Sequence, residues 1–312
     1  MSRKSMFCKE YFWQILVTIG GLFMIFVTLL IGAFLVYKGS DTFLKFHHTL
    51  QEFLGSANFA PMDNASSKGH VGALIFIVGS LCVCGLALLI ATPFALGSSI
   101  FMTEISPKFG EKFYRPMVEI FAGIPSVVYG WVGLTVLIPF LKKVFDLQVG
   151  HSILAASLVL SIMIFPSITS VASDAIRAVS KETRMAAYGL GSTRWQAIFH
   201  VLLPACLPRI MTGIILAAGR GFGEAAVLLY TTGSGTNIRW SNWDIASSTC
   251  PLNPFRSAET LSLQIWDLQV NGQNQALANL ASAVLLILVL AFSIGANVLS
   301  NRINKKNSGE KA

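Results

Sequence analysis

Charge is what this sequence has least of. Of its 312 residues only 12% are Asp, Glu, Lys or Arg, while 54% are apolar; a soluble domain usually carries about 25% charge. The charges are also clustered, so long tracts carry none, and the mean hydropathy is +0.64. That balance excludes an ordinary soluble protein and describes an integral membrane protein. Cysteine is scarce as well. The five, at 8, 82, 84, 206 and 250, form no metal-type cluster. Cys82 and Cys84 fall in an apolar run and read as small hydrophobes; Cys250 reads as a loop residue, and alone it implies no disulfide.

Other absences narrow the chemistry. No glycine-spaced Gly-Lys-Ser/Thr loop for nucleotide phosphates occurs. No His/Cys/carboxylate group has ligand spacing, and Ser, His and Asp stand in no order that makes a triad. The adjacent His47 and His48 read as solvated. No catalytic residue, metal or cofactor is expected. The net charge of +8 comes without a basic groove of interleaved aromatics, so nucleic acid is not an expected partner. There is no internal repeat, no low-complexity segment and no polar stretch long enough for a soluble domain.

What is there is apolar sequence in six runs, at about 12–36, 71–102, 118–140, 152–173, 210–232 and 275–300. Each reaches the roughly 20 residues that a helix needs to cross a bilayer, which predicts an all-α integral membrane protein of six transmembrane helices. Pro125 and Pro139 interrupt the third run and Pro166 the fourth. The first follows a basic start and is too long for the core of a signal peptide, so it is expected to be retained. Fifteen of the 23 basic residues fall on one side of this topology and seven on the other, with Arg220 the remaining one. The excess predicts that both termini are cytoplasmic and that segments 37–70 and 233–274, with Trp240 and Trp243, form external loops.

Segment 174–209 is polar yet reads as helix. Ala175, Val179, Met185, Ala186, Tyr188 and Leu190 supply an apolar side, and Arg177, Lys181, Glu182 and Arg184 a charged one. Gly189 and Gly191 can end that helix, and Ser192 or Thr193 can cap the next. Such an element is either a helix lying on the bilayer surface or a knob for a cytoplasmic partner.

Within it, "MAAYGLGSTRWQAIFHVLLP" (185–204) resembles the EAA loop of ABC-importer permeases. Ala186, Ala187, Gly191, Val201, Leu203 and Pro204 fall in register; the leading Glu is replaced by Met185, with Glu182 one turn earlier. "EIFAGIPSVVYGWVGL" (119–134), "GIILAAGRGFGEAAVLLYTTG" (213–233) and "NPFRSAETLSLQIW" (253–266) look like the phosphate-specific ABC importer permeases, the PstA and PstC pair, leaning toward PstA. The resemblance implies a type I ABC-importer permease fold in a bacterial inner membrane. It also implies a second permease, a heterodimer in this family, and two cytoplasmic ATPases gripping the 174–209 loops. An extracytoplasmic phosphate-binding protein would deliver inorganic phosphate. On this reading Glu182, Met185, Ala186, Ala187, Gly191, Leu203 and Pro204 contact or shape the coupling to the ATPase. Residues 1–70 hold the first helix and an external loop, 71–300 the permease core and 301–312 a cytoplasmic tail.

The fifth run contains two charges, Arg220 and Glu224, four residues apart among Gly219, Gly221 and Gly223. On one continuous helix starting near 210 they share a face, with Arg220 about 15 Å in, near mid-bilayer. A charge there costs about 2.5–3.5 kcal/mol on insertion scales. Either the two neutralise each other, or they line a translocation path. On the second reading Arg220 offers its planar donors to an oxyanion and Glu224 holds Arg220 while the path is empty; the resemblance implies the same. Gly219 and Gly223 are expected to permit close helix approach, and Thr231 and Thr232 to lie near the outer mouth. Ser126, Tyr129 and Glu119 rank lower, and Glu104 and Arg115 read as solvated loop charges. Sulfate, molybdate or tungstate in place of phosphate, a self-contained secondary transporter or channel, and a membrane scaffold are the rival readings.

Overall fold

The computed structural model describes residues 3–45, 47–60, 69–235, 244, 247, 249–270 and 275–307. Trp240 and Trp243 lie outside them. Among the described residues six helices are long and apolar enough to cross a membrane: Tyr11–Leu44, Leu74–Ile105, Ser126–Val144, Ile153–Arg177, Arg194–Gly223 and Gln275–Arg302. The chain is a multi-pass membrane protein. The second and fourth spans pack along each other at the centre; the fifth lies against the fourth and the sixth, and the first against the sixth.

Small side chains make this close packing possible. Ala87, Ala91, Ala95, Ala156, Ala217 and Ala218 are buried between the second, fourth and fifth spans, with Leu160, Met163 and Ile164 filling the rest. In lipid, apolar side chains gain nothing from meeting one another rather than acyl chains, so backbones that approach closely and hydrogen-bond are what hold helices together. Ser157 Oγ donates to Val83 O at 3.0 Å and Ser99 Oγ to Thr169 O at 3.1 Å, tying the second span to the fourth twice. Outward faces carry exposed Phe94, Leu89, Trp131 and Phe140, as a lipid-facing surface requires.

Two predicted spans change shape, for stated reasons. The third begins at Ser126 rather than near 118, because Ile124 and Pro125 are extended and Arg115–Gly123 is a separate helix; a proline lacks the N–H and pushes its predecessor out of helical geometry. Pro166 is buried inside an unbroken fourth span. The fifth span starts sixteen residues earlier than expected, at Arg194, and stops at Gly223. Glu224 is extended (φ −77°, ψ 119°), and a second short helix, Ala226–Thr231, follows.

The polar segments are folded too. Leu50–Gly55 is helical, Phe59–Ala60 pairs antiparallel with His70–Val71, and Leu261–Val270 is a helix. Phe53, Val71, Phe76, Leu261 and Leu268 bury together and seat these pieces on the second and sixth spans. His48 is therefore 4% exposed, not solvated, with Nδ1 3.3 Å from Glu52 Oε2. Cys250, placed in a loop by sequence, is buried.

Candidate functional site

The end of the molecule that carries the end of the fourth span is built around one arginine. The fourth span closes at Arg177, and a new helix, Lys181–Gly189, starts with Ser180 Oγ accepting from Thr183 N at 3.1 Å. The predicted single amphipathic helix is thus two. Gly189 ends the second, Gly191 takes φ +80° in the turn, and Thr193 opens the fifth span with a reciprocal cap to Gln196. A positive φ is costly for any residue with a Cβ, which is why the turn needs Gly191.

Within that hairpin the EAA-like positions divide by exposure. Ala187 is buried, and its carbonyl accepts from Ser192 Oγ at 2.6 Å. Leu203 and Pro204 are half-buried, where the fifth span passes from a π-helical turn (Ala197–Leu202) into regular helix. These residues shape the element. Glu182 and Ala186 are exposed, as are Met185 (64%), Tyr188 and Leu190 (90%). Together they leave an apolar knob on the surface.

Arg184 fastens the knob to the membrane helices. It donates to the Glu104 carboxylate at the end of the second span, to Ile176 O, and through Nε to Val179 O at 3.4 Å. Glu104, read from sequence as solvated, is 8% exposed. Arg184 also meets carbonyls that the end of the fourth span leaves without helical donors, and its charge suits that negative end of the helix. Sequence reasoning missed the pair because its members are 80 residues apart. Arg194 Nη2 adds a bond to Ile105 O at 3.2 Å, and Arg177 pairs with Glu111 at 2.9 Å. Arg115, by contrast, pairs with Glu119 on an exposed helix face at 3.1 Å.

Arg220 is the opposite case. It is exposed and, among the described residues, makes no hydrogen bond or ion pair. Glu224 does not reach it: the helix has ended, and Glu224 turns its Oε1 toward Val227 N at 3.4 Å while its carbonyl accepts from Ser262 Oγ at 2.8 Å. Neither mutual neutralisation nor Glu224 holding Arg220 across one helical turn is seen, because the backbone leaves the helix between the two. Thr212, Leu216, Arg220 and Gly223 form an exposed stripe along the fifth span.

The glycines act differently from expectation. A Cβ at Gly221 would stand 3.2 Å from Cys84 Sγ, and one at Gly213 2.8 Å from Val171; at Gly219 the nearest atom is 3.9 Å away, and at Gly223 nothing lies within 4 Å. Gly213 and Gly221 are the close approaches. Gly221 also fixes the depth of its neighbour. It lies level with Leu160, seven residues into the fourth span from the far end, or about 10 Å, so Arg220 is nearer that end than the middle. Thr231 and Thr232 are buried, their hydroxyls donating to Val227 O (2.9 Å) and Leu228 O (2.7 Å). In this state they hold the corner after the fifth span.

Beyond that corner, loop 251–260 folds back over the start of the fourth span. Leu154 N donates to Pro254 O at 2.8 Å and Ile153 N to Arg256 O at 3.0 Å. Glu259 follows, 8% exposed; burial, and then the negative charge of Asp267, push its carboxyl up to about 7. Among the described residues no three His, Cys, Asp or Glu come together as a metal site.

Comparison with known proteins agrees with this architecture. Residues 95–308 match the family described as binding-protein-dependent transport system inner membrane component. The chain is 41% identical over 261 residues to the probable ABC transporter permease protein YqgH of Bacillus subtilis (strain 168), covering 84% of this chain and 80% of that one. It is 32% identical over 308 residues to the phosphate transport system permease protein PstC of Pasteurella multocida (strain Pm70), covering 91% and 90%. That phosphate-named relative is of the PstC kind, not the PstA kind toward which segment 253–266 leans. In fold it is similar to the crystal structure of a bacterial ABC transporter involved in the import of the acidic polysaccharide alginate, with TM-score 0.61 and 18% identity over 97% of this chain and 100% of that one.

Proposed function

The chain belongs to the binding-protein-dependent transport system inner membrane component family, and from that premise we propose that it is the permease through which an ATP-driven importer moves inorganic phosphate. The fold is that of a type I ABC-importer permease, a transport component whose ATPase is a separate subunit. Beyond that, the substrate, the partners and the topology are our reading.

The observation that carries it is Arg220: a permanently charged, exposed guanidinium on a membrane-spanning helix, with none of its donors engaged among the described residues. Such a charge within a span belongs in a bundle interior or a water-filled path. It suits a tetrahedral oxyanion, because its planar fork offers two parallel donors. Glu224, at the helix break, adds a negative charge that limits how tightly an anion is held. The relatedness to a phosphate permease at 32% identity supports phosphate over other oxyanions.

The working cycle follows from the two ends. The exposed Met185, Tyr188 and Leu190 seat in a cytoplasmic ATPase, one of two, and Arg184 carries its movement to the second and fourth spans through Glu104 and Ile176. Glu182 lies on the same helix, while Ala186, Ala187, Gly191, Leu203 and Pro204 give the element its shape. A second permease covers the stripe that bears Arg220 and completes the path. A phosphate-binding protein delivers at the opposite face, and both termini are cytoplasmic. The permease core corresponds to residues 71–300.

The test is uptake of radiolabelled phosphate by cells that depend on this importer. Arg220→Gln is expected to abolish uptake while the subunits still co-purify. Undiminished accumulation in that variant removes Arg220 from the path. Uptake of sulfate, molybdate or tungstate in place of phosphate by the unaltered importer overturns the substrate.

A further inference from the structure

A second arginine, in the loop above the fourth span, is buried without a counter-charge. Arg256 is 4% exposed. Its Nε donates to Pro251 O and its Nη1 to Ser257 O, both at 3.2 Å, while Nη2 is buried with no acceptor among the described residues. Both acceptors are neutral carbonyls, and among the described residues no carboxylate pairs with it. Burying a charge without its opposite costs several kcal/mol, and a guanidinium does not shed its proton to escape that cost. Burial draws the Arg256 pKa below its ordinary value.

The loop is not free to turn the charge out to water. Its carbonyls cap the fourth span, Ala258 N donates to Thr232 O at 3.3 Å, and Ser257 Oγ donates to His151 O at 3.0 Å. The Phe255 ring packs on Phe145 with centroids 4.9 Å apart. The fourth span also begins here, so the positive end of a 25-residue helix adds to the positive potential. Beside Arg256 opens a cavity of about 380 Å³, lined also by Gln148, Thr249, Phe255 and Ser257, within the size range of small-ligand sites.

We propose that this cavity is a second anion site, distinct from Arg220, which takes a small tetrahedral oxyanion at the face opposite the Lys181–Gly189 helix. An anion there supplies the charge that Arg256 lacks, with the Thr249 hydroxyl and the Gln148 amide within the same walls. Nη2 is closed off from water in this state, so the anion meets Nη1 first and Nη2 after a side-chain rotation in the wall. The need for an anion stands on Arg256 alone; its identity as phosphate rests on the function proposed above. Two cations in sequence, one at the face and one in the span, would hand the ligand inward without either holding it tightly.

Equilibrium binding of radiolabelled inorganic phosphate to the purified full-length assembly tests this. Phosphate binding is expected to survive Arg220→Gln. On that background Arg256→Gln, or Gln148→Glu, is expected to weaken it at least tenfold, with Arg256→Lys intermediate. Gln148 is exposed, so its substitution places a competing carboxylate in the cavity without disturbing the loop, and an unchanged Tm checks that. Loss of all phosphate binding in Arg220→Gln alone overturns the second site and leaves the phosphate reading intact. So does binding that ignores Gln148→Glu. Arg256-dependent binding of sulfate but not phosphate upholds the site and overturns the phosphate reading. If Arg256→Gln instead spares phosphate binding and removes only stimulation of ATPase by the binding protein, Arg256 serves a partner's carboxylate and the small-anion site falls.

Discussion

The two ends of this molecule treat arginine in opposite ways. Where the Lys181–Gly189 helix joins the spans, Arg184 finds a buried carboxylate and the carbonyls of Ile176 and Val179. Toward the other end, among the described residues, the Arg220 guanidinium has no partner and that of Arg256 only neutral carbonyls. A cation neutralised within the chain fixes geometry; one left without a counter-charge draws an anion from outside. The same residue type thus serves as a rivet at one end and, on the function proposed above, as a receptor at the other.

The largest effect expected from breaking this contrast is at the receptor end. Arg220→Gln should reduce phosphate uptake at least a hundredfold without lowering the Tm, because the side chain it removes holds nothing in the fold. At the rivet the order reverses. Arg184→Met strands the Glu104 carboxylate at 8% exposure, and loss of one partner of a buried pair costs about 3–5 kcal/mol. Arg184 is itself 23% exposed, so solvent trims this to about 2–3 kcal/mol. Thermal unfolding of the purified protein reads it, and Arg184→Met with Glu104→Leu should recover much of the loss.

Glu259 gives a pH signature to the receptor end. Its folded pKa is raised, from 4.5 to about 7, so the native state holds a proton that the unfolded chain releases. The resulting stability is full below about 4.5 and is lost as pH rises through about 7, on the order of 2–3 kcal/mol. Tm should therefore fall over that window, and Glu259→Gln should flatten this contribution. Next comes helix spacing. Gly213→Ala forces a methyl to 2.8 Å from Val171 and should cost about 1–3 kcal/mol, whereas Gly223→Ala meets nothing and should stay within about 0.5 kcal/mol. The smallest effect on stability, and a decisive one for coupling, is Leu190→Asp. At 90% exposure it should leave Tm unchanged within error and abolish co-purification with the ATPase.

Local chemistry was legible along the chain. Hydropathy alone yields six spans, Gly189 and Gly191 mark a helix end, and Ser192 or Thr193 a helix start, of which the fold uses Thr193. The register of Ala187, Gly191, Leu203 and Pro204 locates the hairpin between the fourth and fifth spans. Less legible was the end of the fifth span. Its apolar pattern runs on past Gly223, so periodicity predicts a continuous helix and with it a salt bridge from Arg220 to Glu224. The break is held by one tertiary contact, Ser262 Oγ on the Glu224 carbonyl, and by one local one, Val227 N on its carboxylate.

What the sequence determined by itself is therefore the environment, an all-α chain in lipid, and the presence of charges that lipid does not tolerate unassisted. Which of those charges are answered was decided only by the fold. Glu104 meets Arg184 across 80 residues, and Arg256 is sealed under a loop that caps a distant helix. An ion pair needs its two groups within about 4 Å, and distance along a chain carries no such information until the helices have packed.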